Sequence, residues 1–320
     1  MKTNNDVFGK IRRFASCNSA FVIFVALFIV ASIMYDKFLT YTSVTNLVSQ
    51  NAMIGLLAFG MTFVVIGADI DLSVGSVMAL CGIIAAKLSA NNILIVLIVV
   101  LGVGIALGLI NGFLVTKMDI VPFIATLSMM LGLRGVVYLI TGNKSVPTPD
   151  RTAIFAAIGD GELIPEFSNI IIIYVIIFAI CYYVLKYTKY GRYNYAVGGN
   201  LQAAKMMGIK TDKVRITNYA ISGLLAAAAS IIMTSRLGSG QYSAGDGWEM
   251  DAIAATVIGG TLLTGGTGGV KGTFFGVLIL GVMKQMFNLQ GNLNTWWQNI
   301  ATGVILLVVV IAQSRASSKK

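Results

Sequence analysis

Nearly uncharged apolar stretches succeed one another along almost the whole chain: Phe14–Tyr35, Leu47–Ile66, Leu72–Leu88, Ile93–Val115, Val121–Ile140, Asn169–Leu185, Ile216–Ser235, Ala252–Leu263, Gly272–Leu289 and Trp296–Ile311. Most approach the roughly 20 residues that carry a helix across a hydrocarbon core. Lipid offers no partner to a backbone N–H or C=O, so a crossing segment must be a helix or part of a closed barrel. The apolar runs are continuous rather than alternating, which argues against the barrel. The expected fold is all-α: a polytopic helical membrane protein with about ten transmembrane helices, forming a single domain over residues 1–320. Composition agrees, at 57% hydrophobic, 11% charged and a mean hydropathy of +0.83, where soluble domains carry about a quarter charged residues.

The charged residues set an orientation. Lys2, Lys10, Arg12 and Arg13 precede the first stretch, and Arg315, Lys319 and Lys320 follow the last. Lys and Arg accumulate on the cytoplasmic side. The polar loop 141–168 sets Asp150, Asp160, Glu162 and Glu166 against Lys144 and Arg151, which suits the outside. Five crossings before it put the N-terminus in the cytoplasm, and ten put the C-terminus there too. A basic region followed by apolar Ala20–Met34 imitates a signal peptide. No small-residue cleavage pattern follows it, so it reads as a retained first span. The net charge of +10 is spent on this orientation, so no nucleic-acid partner is expected. Cys17, Cys81 and Cys181 lie scattered in or beside apolar stretches and suit packing. The sequence has no histidine, which excludes His-based metal sites and His acid–base catalysis; no metal and no cofactor is expected.

One basic stretch interrupts the apolar runs. From Lys186 to Arg215 there are seven cations, with Asp212 as the one anion. Within 188–215, Gly198-Gly199 is expected to break the chain. Asn200 suits a helix cap, and Leu201–Met207 suits a short helix ended by Gly208. A short helix on the cytoplasmic face is a handle for a soluble partner. Tyr195-Ala196-Val197-Gly198-Gly199-Asn200, then Ala203-Ala204 and Gly208-Ile209, resemble the ATPase-coupling loop of sugar-importing ATP-binding-cassette permeases, in the ribose, xylose, arabinose and galactose group.

Two further blocks carry the same resemblance. Gly67-Ala68-Asp69-Ile70-Asp71-Leu72-Ser73-Val74-Gly75-Ser76 is similar to that family's Gly-Ile-Asp-Leu-Ser-Val-Gly-Ser signature. It supports Asp71, Ser73, Gly75 and Ser76 and leaves Asp69 aside, because Ala68-Asp69 stands where small residues are usual. Taken alone, the carboxylates read either as anchors, with Asp71 or Ser73 capping the third span, or as part of a gate. The second block runs from Asp251 through Gly259-Gly260-Thr261 to Gly265-Gly266-Thr267-Gly268-Gly269. It lacks the Gly-Lys-Ser/Thr ending of a phosphate loop, since Val270-Lys271-Gly272 stands there. Phe123-Ile124-Ala125-Thr126-Leu127 with Arg134-Gly135 resembles the family's fifth span, and Arg134 reads as paired with an acid or as lining the path. Gly104, Gly108 and Gly112 share one helix face and suit close helix contact. Val65-Ile66-Gly67 is echoed by Val257-Ile258-Gly259, a three-residue likeness too short to build on.

The resemblance implies a permease subunit of the bacterial cytoplasmic (inner) membrane that imports a monosaccharide, with D-ribose as the expected sugar. The implied partners are a cytoplasmic ATPase subunit, a periplasmic or extracellular sugar-binding protein and a second permease copy. Coupling would rest on Tyr195, Gly198, Gly199, Asn200, Ala203, Ala204 and Gly208. The path or gate would draw on Asp71, Ser73, Gly75, Ser76, Thr126, Arg134, Gly259, Gly260, Thr261, Gly265 and Gly266. The competing reading is an ion-coupled secondary transporter, in which Asp69 and Asp71 would hold the ion. An enzyme is disfavoured because paired acids occur only in that one segment.

Overall fold

The computed structural model describes residues 19–163, 167–290 and 295–317, with backbone alone at 295–296 and 312–317. Lys2, Lys10, Arg12, Arg13, Cys17, Pro165, Glu166, Lys319, Lys320, the turn at 291–294 and the side chains of Trp296 and Arg315 lie outside the described residues.

Each expected apolar stretch carries a helix. These are α1 (Ser19–Met34), α2 (Tyr41–Ile66), α3 (Val74–Leu88), α4 (Ile93–Lys117), α5 (Pro122–Thr141), α7 (Asn169–Tyr187), α10 (Thr211–Leu237), α11 (Trp248–Ile258), α12 (Val270–Gln290) and α13 (Thr295–Ser317). Between them stand α6 (Ala153–Asp160), α8 (Lys189–Gly199) and α9 (Leu201–Met206). Among the described residues, six helices are long and apolar enough to cross a membrane alone: α2, α4, α5, α7, α10 and α12. The protein is a polytopic helical membrane protein. Its apolar side chains face outward on α4, α5 and α7, with Ile98 and Leu139 among the most exposed.

Helix α2 is the hub. It is almost wholly buried and packs against α7, α10, α11 and α12. Its 26 residues span about 39 Å at 1.5 Å per residue. Helix α4 lies on α10 along its glycine face. A Cβ at Gly104 would strike Gly223 and Ala227, one at Gly108 would strike the Tyr219 carbonyl, and one at Gly112 would strike Ile216. Close backbone approach of this kind replaces hydrophobic association between helices in lipid.

Two sequence expectations change. The polar loop 141–168 is partly folded. Val146–Pro147 (β1) pairs antiparallel with Ser239–Gly240 (β2), a small exception to an all-α fold. Helix α6 is tied to α10 by the Gly159 N–H, which donates to Ser235 Oγ at 2.8 Å. The eighth span, expected at Ala252–Leu263, is an 11-residue helix ending at Ile258, about 16 Å long. The segment before it is partly buried, at Gly240, Ala244, Gly245 and Glu249. Gly240 lies on the Gly82 carbonyl and Gly245 on Gly75, so a chain of successive turns follows α3 into the bundle. Glycine permits this because no Cβ holds the two backbones apart, and non-helical backbone is tolerated at depth where protein surrounds it.

The three-residue echo is structural. The Gly67, Ala68 and Asp69 N–H groups donate to the Phe63, Val65 and Val64 carbonyls; those of Gly259, Gly260 and Thr261 donate to Ala255, Val257 and Thr256. The offsets are identical, and the second residue has positive φ in both, 64° at Ala68 and 92° at Gly260. Helices α2 and α11 thus end in the same left-handed turn, but only one of the two uses glycine. Ala68→Gly is expected to raise stability by about 1 kcal/mol, read as a shift of the unfolding midpoint in detergent. No shift, or a loss, would mean the turn is not strained.

Candidate functional site

The basic stretch is docked on the end of α2 and on the glycine-rich turn that follows α11. Asn194 of α8 donates its Nδ2 to the Phe63 carbonyl at 2.9 Å, serving an end-of-helix oxygen of α2. Its Oδ1 accepts from Asn218 Nδ2 of α10 at 2.7 Å, and Asn218 Oδ1 accepts from the Tyr190 hydroxyl. A three-side-chain relay therefore joins α8, α10 and α2.

Gly198 is buried at the same junction. A Cβ there would meet the Ile66 carbonyl and stand 2.7 Å from Gly266 N. The Gly266 N–H donates to the Ile66 carbonyl at 2.9 Å. Gly265 is equally tight, since its Cβ would lie 2.6 Å from the Ala68 Cβ and 2.8 Å from the Gly198 carbonyl. The Tyr195 hydroxyl donates to the Gly268 carbonyl at 2.9 Å. Burial pushes that phenol above its usual range and keeps it a donor. Thr261 is buried nearby, and its Oγ1 accepts from the Gly269 N–H at 3.4 Å. Tyr195 and Gly198 thus stand with Gly265, Gly266 and Thr261, while Gly259 and Gly260 end α11 beside them.

Of the remaining coupling residues, Gly199, Asn200, Ala203 and Gly208 face outward and Ala204 faces inward. Gly199 is exposed, with open space where a Cβ would stand. Helix α8 runs through both glycines, so the break falls at Asn200 (φ −161°, ψ 105°) and not at Gly198-Gly199. The Asn200 Oδ1 accepts from the Ala203 N–H at 2.9 Å, capping α9. Ala203 is exposed, while Ala204 is buried with Val197 and Val214. Gly208, at φ 81°, turns the chain out of α9. Met206 and Met207 project beside it, 89% and 70% exposed.

The signature segment enters the bundle. It runs beside Arg215 to Ser222 of α10, between about 6 and 16 Å from the start of that helix. Asp71 accepts from the Ser73 N–H at 3.0 Å, the Ser73 hydroxyl at 2.6 Å and the Ser222 hydroxyl at 2.8 Å. Ser73 in turn accepts from Asn111 Nδ2 at 2.8 Å. Ser73 is the N-cap of α3 but makes no side-chain cap bond; the carboxylate that stabilises the turn is Asp71. Ser76 returns its hydroxyl to the Ser73 carbonyl at 2.8 Å. Thr126 bonds the Pro122 carbonyl at 2.9 Å and approaches that of Ile70 at 3.4 Å. Asp71, Ser73, Ser76 and Thr126 form one buried cluster.

Arg134 and Gly75 belong to a third group. Arg134 Nη1 donates to the Ala244 carbonyl at 2.9 Å and approaches that of Tyr242 at 3.4 Å. It therefore clamps this turn-rich chain through two carbonyls, with the Glu249 carboxylate near enough to feel its charge. Gly75 meets Gly245 and the Glu249 carboxylate across that chain.

Sequence reasoning passed over several of these residues. Asp69, set aside there, is held by Arg215 in a fork, with Nε to Oδ2 at 2.9 Å and Nη2 to Oδ1 at 2.7 Å. Arg215 closes the basic stretch and opens an apolar helix, a position that calls for an acid partner. Asn111, Asn194, Asn218, Ser222 and Glu249 gave no motif to recognise; each is a single polar residue within a span or beside one.

Comparison with known proteins gives a consistent result. The family model described as branched-chain amino acid transport system / permease component matches residues 43–310. The ribose import permease protein of Haemophilus influenzae is 40% identical over 315 residues, covering 97% of each chain. That of Bacillus subtilis is 39% identical over 91% of each. The fructose import permease protein of Bifidobacterium longum is 32% identical over 92% of this chain and 89% of its own. No solved structure matches. With the motif blocks joined at one junction and the match running through nearly all the spans, the chain belongs to the branched-chain amino acid transport system / permease component family.

Proposed function

We propose that the chain is the membrane-spanning subunit of an ATP-driven importer of D-ribose in the cytoplasmic (inner) membrane. It crosses about ten times with both ends inside. A separate ATPase subunit grips α9, a binding protein delivers sugar at the opposite end, and a second copy of the permease completes the path. Nearly full-length likeness to ribose import permeases supports the substrate. One contact carries the mechanism: the Gly198 backbone seated on Ile66 and Gly266. A push on α9 reaches α8 through Asn200 and Ala204, and from Gly198 it bears together on the end of α2 and the glycine-rich turn that follows α11. The turn that ends α2 runs directly into the buried cluster around Asp71. No chemistry is done on the sugar; the spans only rearrange around it.

The ion-coupled alternative loses ground on the same geometry. Asp69 is neutralised by Arg215, and Asp71 accepts three hydrogen bonds from neutral donors. The test is reconstitution. Proteoliposomes holding the permease, its ATPase and the binding protein are expected to accumulate labelled ribose only with ATP. Uptake by the permease alone under a proton or sodium gradient would overturn the reading.

A further inference from the structure

At the end of the bundle opposite the basic stretch lies a cleft of about 430 Å³, formed among α2, α10, α11, α12 and α13. Its size is that of a small-molecule site. Its walls are rich in carboxamides: Asn51 on α2, Gln285 and Asn288 on α12, Gln298 on α13. Trp248, at the start of α11, supplies an aromatic wall.

The hydrogen-bond inventory of these groups is uneven. Asn51 donates Nδ2 to the Leu47 carbonyl at 2.7 Å, Gln285 donates Nε2 to Ser43 Oγ at 2.6 Å, and Gln298 donates Nε2 to Asn288 Oδ1 at 3.0 Å. Each of the three spends a donor on protein. The acceptor oxygens of Asn51, Gln285 and Gln298 take no protein hydrogen bond among the described residues, and the Asn288 Nδ2 gives none. A carboxamide oxygen accepts and its nitrogen carries two N–H donors, so the cleft keeps three free acceptors and, from the second N–H of Asn51 and Gln298 and both of Asn288, several donors beside a flat ring. Hydroxyl groups, which do both, complement that set.

Of the two cations that line the cleft, one is already neutralised. Lys284 on the same wall is paired with Asp251 at 2.5 Å. Arg236, at the rim, also faces an adjoining cleft that holds Asp160 and Glu162. Asn51 itself is seated by design of the contact, because a Cβ at Gly281 would stand 2.6 Å from its Nδ2. Only glycine on α12 leaves room for that carboxamide.

We propose that this cleft is a binding subsite for a neutral monosaccharide, whose hydroxyls donate to Asn51, Gln285 and Gln298, accept from Asn288, and whose apolar ring face rests on Trp248. The proposal rests on the sugar-import reading and adds to it a place where the permease itself holds the sugar. Of the three tryptophans in the chain, Trp296 and Trp297 can be replaced by Phe, leaving Trp248 as reporter in the full-length purified protein. Titration with ribose is expected to change its fluorescence saturably. Gln285→Met and Gln298→Leu are each expected to weaken that response about tenfold, the loss of one hydroxyl partner, while the variants still assemble with the ATPase. Using two variants guards against one that fails to fold. No saturable response to ribose, in a protein whose complex still imports ribose, would overturn the subsite and leave the import reading intact. Saturation by ribose 5-phosphate but not by ribose would also overturn it, by assigning the site to an anion through Arg236. A complex that imports no monosaccharide would instead remove the reading beneath it.

Discussion

Replacing Arg215 by Met is expected to destabilise the purified protein by about 3–5 kcal/mol, more than Asp69→Asn does. The two partners are not equally placed. The Asp69 side chain is 2% exposed and that of Arg215 is 17% exposed. Without Arg215, a carboxylate is stranded inside the bundle with its fork of donors removed. Without Asp69, the guanidinium still lies near the start of α10, where its long stem reaches water. The Asp69→Asn/Arg215→Met pair should therefore be more stable than Arg215→Met alone, since no charge is left uncompensated. Unfolding midpoints of the four proteins in one detergent would measure the cycle. Equal single losses that simply add would show that the fork is not a coupled unit.

The second large effect is expected at Gly198. A valine there places Cβ against the Ile66 carbonyl and beside the Gly266 nitrogen, both backbone atoms with no rotamer to yield. Overpacking of this kind costs typically 1–3 kcal/mol, and here it would part the basic stretch from α2. Gly198→Val is expected to reduce ATP-driven uptake at least about tenfold, a 1.4 kcal/mol change in barrier, while ATP hydrolysis by the assembled complex continues. The neighbouring Gly199→Ala is expected to change neither, because open space surrounds that position. Parental uptake by Gly198→Val would show that force does not pass through this contact.

The two glycines show where sequence reading stops. Both sit in one motif, and nothing in their order distinguishes the one wedged on α2 from the one facing water. The helix-forming stretches were legible because hydrophobic runs of bilayer length report on the solvent and not on neighbours. The Asn200 cap and the turn at Gly208 were legible because their chemistry is local to a few residues. The partner of Asp69 was not legible for the opposite reason: the pair depends on Arg215, 146 positions away. The packing of Gly240 and Gly245 on α3 was not legible, because polar and glycine residues look like a surface loop until α3 is laid against them.

Composition and apolar periodicity alone determined that this chain is a helical membrane protein, and its motifs alone pointed to a sugar permease. Which helix is the hub, which glycine bears a contact and which acid meets a cation were decided only by tertiary structure. The physical reason is range. Transfer into lipid and helix capping are settled within one segment. A close backbone contact or a buried ion pair exists only when two distant segments fix each other's position.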